Sequence, residues 1–204
     1  MSVTKNEKMV KVVFAGETSV GKTAIIERSI LDRFLDHTPT VGAAFSAKKV
    51  THGDKSVMLG IWDTAGQERY QVMSPIYFRQ VIVCVLVFDI TNYKSFQKIS
   101  MWKQLCDDSN REYTDESLGI PIYFLVGNKF DMKDRAVGKL EIESFCQYNN
   151  ISHYVETSAS NGTGIKTLYE KIAEEACTIK LPVTSKGLAR TTNQKSNDKC
   201  YCYH

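Results

Sequence analysis

The octapeptide GETSVGKT, Gly16 to Thr23, follows an apolar run and opens a helix-like stretch. It fits the pattern G-x-x-x-x-G-K-[ST] in the strand–loop–helix setting that the pattern needs. The glycines let backbone N–H groups from Glu17, Thr18, Ser19, Val20 and Gly21 turn inward as an anion nest. The helix N-terminus adds partial positive charge. Lys22 can reach the β- and γ-phosphates of a nucleotide, and the Thr23 hydroxyl can ligate Mg²⁺. Further on, WDTAGQE places Asp63 at a strand end, where it can hold a metal-bound water. Gly66 can offer its N–H to a third phosphate, and Gln67 can orient an attacking water, the catalytic role. Alone, DTAGQ would pass for a polar turn. After a phosphate loop it reads as a sensor of the third phosphate.

A third stretch, GNKFD, Gly127 to Asp131, selects the base. Guanine shows two donors on one edge, and one carboxylate, Asp131, can accept both. Adenine lacks that pair and would leave the carboxylate without partners, a strong penalty. Asn128 and Lys129 stand beside it as nucleotide-binding candidates. These residues predict a GTP/GDP site with Mg²⁺ as cofactor. An ATP-using phosphate-loop enzyme is the reading that NKFD disfavours.

Such loops need a scaffold that brings them to one place, and the hydrophobic pattern supplies it. MVKVVFAG reads as a strand and GKTAIIERSILDRF as a helix. AFSAKKVTHGDKSVMLGIWD reads as a hairpin turned at His52–Asp54. VIVCVLVFDIT is apolar without alternation, as expected of a parallel strand buried on both faces. IPIYFLVGNK and SHYVETSA read as two more. The final helix, IKTLYEKIAEEAC, aligns Ile165, Leu168, Ile172, Ala173 and Ala176 on one face. The alternation predicts an α/β fold with helices on both sides of the sheet. Ligands of such sheets bind beyond the carboxyl ends of the strands, where all three motifs lie. The polar stretch 107–119 is expected to be an exposed loop.

The chain has 204 residues and a net charge of +3. From Lys180 onward there are five basic residues and one acid, a net +4, which leaves the body at −1. A near-neutral body does not suit nucleic acid; the weakly basic tail fits attraction to an anionic membrane face, although charge alone favours a solvated, soluble tail. The sequence begins without a signal peptide pattern, and Ser2 excludes myristoylation. A cytosolic setting is expected, with thiols reduced. Cys84, Cys106, Cys146 and Cys177 then read as inert single thiols. Residues 1–181 are expected to form one domain and 182–204 a flexible tail.

In this order and at this size the motifs resemble the small GTPases of the Ras superfamily, over about residues 9 to 179. The Rab family fits best through TVGAAF, LGIWDTAGQERY, IYFR and LVFDIT. GAAF with SPIYFR looks most like the early-endosomal Rab branch. The resemblance implies a three-layer P-loop GTPase fold with a mixed, six-stranded, mostly parallel sheet and a monomeric GTPase domain. It implies a switch that regulates membrane trafficking and hydrolyses GTP slowly until a GAP assists. It makes Thr40 the switch I threonine, bound to Mg²⁺ and the γ-phosphate, and lays Phe34 against the guanine. In TSAS, Ser158, Ala159 and Ser160 form the second base loop, with the Ala159 N–H facing the base. Phe45, Trp62 and Tyr77 match the aromatic triad that Rab effectors read. An exchange factor, a GAP, a GDP-dissociation inhibitor and an escort protein are the implied partners. The implied location is the cytoplasmic face of an intracellular membrane, endosomal, with a cytosolic pool.

Four features depart from the family pattern. Thr40 follows Phe34 by six residues where the family usually has seven. Thr18 stands where Ras has glycine and many Rabs have serine. SAS replaces SAK, so Ser160 has no long stem to lay on the base. The 107–119 segment is longer than usual. Slow hydrolysis at a crowded Thr18 leaves a pure GTP-binding module as a second reading.

The chain closes on DKCYCYH. A reducing cytosol disfavours a disulfide between Cys200 and Cys202, and no second ligand pair accompanies them for a metal. Tyr201, fourth from the end, excludes a C-a-a-X signal. Rab tails commonly carry two geranylgeranyl groups on paired cysteines, so the resemblance implies lipidation of Cys200 and Cys202. Two chains anchor where one gives only marginal membrane binding.

Overall fold

The computed structural model describes residues 9–35, 40, 42–66, 74–113 and 120–179. The chain runs β1 (Met9–Ala15), α1 (Lys22–Leu31), β2 (Ala43–His52), β3 (Lys55–Thr64), α2 (Ser74–Phe78) and β4 (Val83–Asp89). It continues through α3 (Tyr93–Gln97), α4 (Ile99–Tyr113), β5 (Ile122–Asn128), α5 (Lys139–Tyr148), β6 (His153–Glu156) and α6 (Ile165–Thr178). The strands form one sheet in the order β2-β3-β1-β4-β5-β6. Only β2 runs antiparallel, paired with β3 through the Gly53–Asp54 turn; the described pairs beyond it are parallel.

β4 explains the missing alternation in its sequence. Val83, Val85 and Val87 pack with α1 and α6 on one face. Cys84, Leu86 and Phe88 pack with α2, α3, α4 and α5 on the other. Period-two geometry divides one apolar run between two cores. Complete burial of each such aliphatic side chain contributes about 1.5–3 kcal/mol. α6 buries the five residues its periodicity indicated, and Tyr169 with them. Cys84 and Cys106 are buried single thiols, and Cys146 and Cys177 are partly buried ones. Among the described residues no helix is long and apolar enough to cross a membrane.

The parallel arrangement carries the ends of β1, β3, β4, β5 and β6 to one edge. The chain leaves β1 toward β3 on one side and β4 on the other, so β1 marks the topological switch point. α1 is shorter than its sequence pattern suggests. It ends at Leu31 because Asp32 turns left-handed, at φ 50°, and its N–H caps the Arg28 carbonyl.

The expectation of a loop over 107–119 is corrected in part. Residues 107–113 continue α4, while 114–119 lie outside the described residues. The polar side chains of Asp107, Ser109 and Asn110 find partners in the fold. Asp107 accepts from the Tyr123 hydroxyl at 2.6 Å and from Lys103 at 2.9 Å. Ser109 returns its hydroxyl proton to the Leu105 carbonyl. Buried Asn110 donates to the Phe78 and Cys106 carbonyls and accepts from the Val81 N–H at 3.1 Å. It thereby fixes the chain between α2 and β4. Asn110→Ala leaves a buried carbonyl and a buried N–H without these partners. Urea unfolding should show a loss of about 1–3 kcal/mol, through a lower midpoint at unchanged m.

Candidate functional site

The loop after β1 wraps the N-terminus of α1. Gly21, at φ 95°, caps that helix with no side-chain hydrogen bond, and no acidic residue occupies the first turn. The first helical N–H groups are therefore left for an anion. A Cβ on Gly21 would lie 2.3 Å from the Asn128 amide nitrogen, so only glycine fits.

Lys22 follows, 6% exposed. Its ammonium donates to the carbonyls of Gly16 at 2.8 Å and Glu17 at 2.9 Å. Burial lowers its pKa from 10.5 to about 8, against the opposing pull of Asp63 and Glu17. It remains cationic at neutral pH, held in a dry place without full charge compensation.

Beside it the Thr23 hydroxyl donates to the Asp63 carboxylate at 2.6 Å. The Thr40 hydroxyl lies 3.0 Å from that of Thr23 and 3.5 Å from the same carboxylate oxygen. Two hydroxyls and one carboxylate converge, all hard oxygen donors. That donor set suits Mg²⁺, which typically takes one or two protein oxygens and fills its shell with phosphate and water. Among the described residues no cluster of three His, Cys, Asp or Glu offers a softer site.

The end of β3 lies hard against the phosphate loop. A Cβ on Gly66 would stand 2.4 Å from the Glu17 carbonyl carbon and the Thr18 nitrogen. The Ala65 N–H bonds the Gly42 carbonyl at 2.8 Å, which ties the strand end to the segment after Thr40.

The loops after β5 and β6 meet on the other side. Asn128 donates to the Val20 carbonyl at 2.8 Å. Its oxygen accepts from the Thr157 hydroxyl at 3.1 Å and the Ala159 N–H at 3.3 Å. One amide therefore joins the phosphate loop to the second base loop. Asp131 accepts a 2.6 Å bond from Ser158, which aims the carboxylate. Lys129, left-handed at φ 66°, pairs with Asp89 at 2.6 Å. Burial raises the Asp89 pKa, but hydrogen bonds from Lys129 and Thr91 outweigh it and leave the group below its ordinary value.

These loops enclose a cavity of about 440 Å³, within the usual range for a small-molecule site. Thr18, Ser19, Gly21, Lys22 and Thr23 line one end with Thr40 and Gly66. Asn128, Lys129, Asp131, Ala159 and Ser160 line the other, and Phe34 flanks the opening. The six-residue spacing of Phe34 and Thr40 thus still allows both to reach the cavity. Of the remaining candidates, Glu17 and Val20 contribute carbonyls to Lys22 and Asn128, and Ser158 supports Asp131.

A model of the Ras family matches residues 11–178. The Ras-related protein Rab-24 of Dictyostelium discoideum is 37% identical over 86% of this chain and 84% of its own. The Ypt/Rab-type GTPase ypt7 of Schizosaccharomyces pombe is 35% identical over 84% of each chain. The Ras-related protein Rab7 of Drosophila melanogaster is 34% identical over 84% of this chain and 82% of its own. The chain belongs to the Ras family, as a Rab-type small GTPase. Its fold is the Ras-like P-loop GTPase fold, and its activity is GTP hydrolysis. Rab GTPases as a group regulate membrane traffic and bind GTP, GDP and Mg²⁺.

In this Rab-type GTPase, Phe45, Trp62 and Tyr77 form a continuous aromatic strip. Phe45 meets Trp62 edge-on at 5.3 Å, and Trp62 meets Tyr77 at 5.8 Å. Gln67, Cys200 and Cys202 lie outside the described residues. Sequence reasoning missed Leu35, Thr64 and Met132, which also line the cavity, and Asp89 and Arg28, which brace its loops. Thr64 and Asp89 lie inside quoted stretches, WDTAGQE and LVFDIT, whose spacing gave them no role, and Arg28 finds its partners more than a hundred positions away.

The buried ammonium makes affinity pH-dependent. An unfolded lysine holds its proton up to about pH 10.5, but the empty site holds it only to about 8. The unfolded chain binds more protons between these values, so the empty protein gains stability as pH rises across that window. Bound phosphates keep the ammonium charged. GDP affinity should therefore be flat below pH 8 and fall by up to about tenfold per pH unit above it. Anisotropy titrations with a fluorescent GDP check this, and a profile still flat above pH 8 removes Lys22 as the cause.

Proposed function

We propose that this GTPase is an endosomal trafficking switch whose cavity takes GTP or GDP with Mg²⁺. The observation that carries the nucleotide reading is the single cavity joining Lys22, the Thr23–Thr40–Asp63 oxygen cluster and Ser158-aimed Asp131. Thr23, Thr40 and Asp63 would hold the Mg²⁺ ion. When bound, the metal neutralises charge on the β- and γ-phosphate oxygens. The phosphate-loop N–H groups and Lys22 bind the phosphates; Asp131 and the Ala159 N–H read the guanine. Phe34 covers the base, with Lys129 and Ser160 at its rim. Gln67 positions the attacking water, and Gly66 senses the third phosphate. Thr40 and Gly66 would be held by that phosphate and released on hydrolysis.

An exchange factor, a GAP, effectors at Phe45, Trp62 and Tyr77, a GDP-dissociation inhibitor and an escort protein complete the cycle. Geranylgeranyl groups on Cys200 and Cys202 attach the chain to the membrane through residues 182–204. The GAAF and SPIYFR stretches support the endosomal assignment.

Single-turnover assays test the chemistry. GTP should be hydrolysed slowly, and ATP should neither be hydrolysed nor displace GDP. ATP competing as well as GTP overturns the base assignment. Thr18→Gly should hydrolyse GTP several-fold faster, on the order of 1 kcal/mol off the barrier, if the branched side chain crowds Gln67. Unchanged turnover sinks that explanation.

The anchor is tested in cells. Cys200→Ser with Cys202→Ser should move the protein from membranes to the soluble fraction. Mass spectrometry of the native protein should find both thiols prenylated, and unmodified thiols end the anchor reading.

A further inference from the structure

Three candidates lie outside the chemistry already described: a groove along β2 and α6, the buried Asn110 bracket, and one arginine on α1. The arginine carries an inference furthest. Arg28 sits six residues beyond Lys22 on α1. Its Nε donates to the Ala159 carbonyl at 2.8 Å, and its Nη2 donates to the Ser160 carbonyl. Its Nη1 donates to the Asp32 carbonyl at 3.1 Å, with the Asp32 carboxylate 3.6 Å away. The side chain is only 15% exposed.

We infer that Arg28 is a positioning residue for guanine recognition: it holds the Ala159–Ser160 peptides from below so that the Ala159 N–H faces the base. The inference rests on the proposed base site.

Three observations support it. A planar guanidinium that donates to two successive carbonyls fixes the peptides that follow Ala159 and Ser160, and so holds the backbone on the C-terminal side of the Ala159 N–H in one orientation, which one rotatable ammonium cannot do. Ser158, before Ala159, is fixed through Asp131 at 2.6 Å and the Thr163 carbonyl at 2.9 Å, whereas the Ala159 N–H itself makes only a 3.3 Å contact, to the Asn128 amide oxygen. Finally, Ser160 has no long side chain to lie along a base, so the backbone at Ala159 and Ser160 is held through its carbonyls instead. Arg28 supplies it from the helix whose first turn carries Lys22 and Thr23. Phosphate end and base end are thus fixed to one rigid rod.

GDP dissociation is the measurement, made on the full chain with Mg²⁺ present. A second ligand, 2-aminopurine riboside diphosphate, lacks the O6 acceptor and the N1–H of guanine but keeps the phosphates and the stacking surface. Wild type should hold GDP far longer than the analogue. Arg28→Ala should speed GDP release on the order of ten- to a hundredfold, the loss expected for charge-assisted hydrogen bonds. It should leave release of the analogue within about twofold of wild type, since the contact that Arg28 positions is missing there. Arg28→Lys should recover only part of the GDP lifetime. A purely structural arginine would speed release of both ligands alike, and that result overturns the inference. So does an Arg28→Lys variant that restores wild-type lifetime, because one charge would then suffice. If wild type itself releases both ligands equally fast, the base-site reading falls and this inference falls with it. Guanidinium chloride unfolding of Arg28→Ala loaded with the analogue reports separately on folding.

Discussion

A positive charge held almost out of water is the constraint around which this molecule is arranged. Lys22 cannot move aside, because its ammonium is fixed by two carbonyls of its own loop. That loop is in turn fixed by the Asn128 amide through the Val20 carbonyl. Asn128 stands at the end of β5, whose position depends on β4, packed on both faces. The two cores therefore set more than overall stability. They hold a charge where water cannot screen it, so that a phosphate bound there meets a prepaid electrostatic field.

The two ends of the cavity are built on different physics. The phosphate end is backbone and charge: N–H groups, a helix terminus, an ammonium and hard oxygens. It recognises any polyphosphate. The base end is directional hydrogen bonding, with Ser158 aiming Asp131 and Asn128 touching both loops. On the proposed reading, discrimination between bases rests on the placement of a few short loops. Changes to the base loops should alter selectivity before they abolish binding.

Much of this was legible in the sequence because the chemistry is local there. Glycine spacing and a following Lys-Thr announce a phosphate loop within eight residues. An apolar run without alternation announces a central strand. The order of motifs announces the edge at which they meet. Residues acting over long separations in sequence stayed hidden. Arg28 braces a loop more than a hundred positions away, and nothing in ERSILDRF distinguishes that arginine from a solvated one. Asn110 lies in a polar stretch that reads as a loop, because composition counts polar side chains and cannot count their partners. Asp32 ended α1 early for the same kind of reason: its left-handed conformation comes from local geometry that hydrophobic periodicity does not register.

Trp62 and Asp63 are neighbours on one strand, so their side chains leave it on opposite faces. Asp63 meets Thr23 and Thr40 in the cavity, while Trp62 lies in the outward aromatic strip between Phe45 and Tyr77. The chain contains only two tryptophans, and the other, Trp102, is fully buried in the core below the sheet. The native protein thus carries its own optical probe. Trp102 is fully buried away from the cavity, and Trp62, half-buried one residue from Asp63, is the tryptophan placed to respond to events there. Events at that site then have a reporter within the unlabelled molecule, with no dye attached to the surfaces under study.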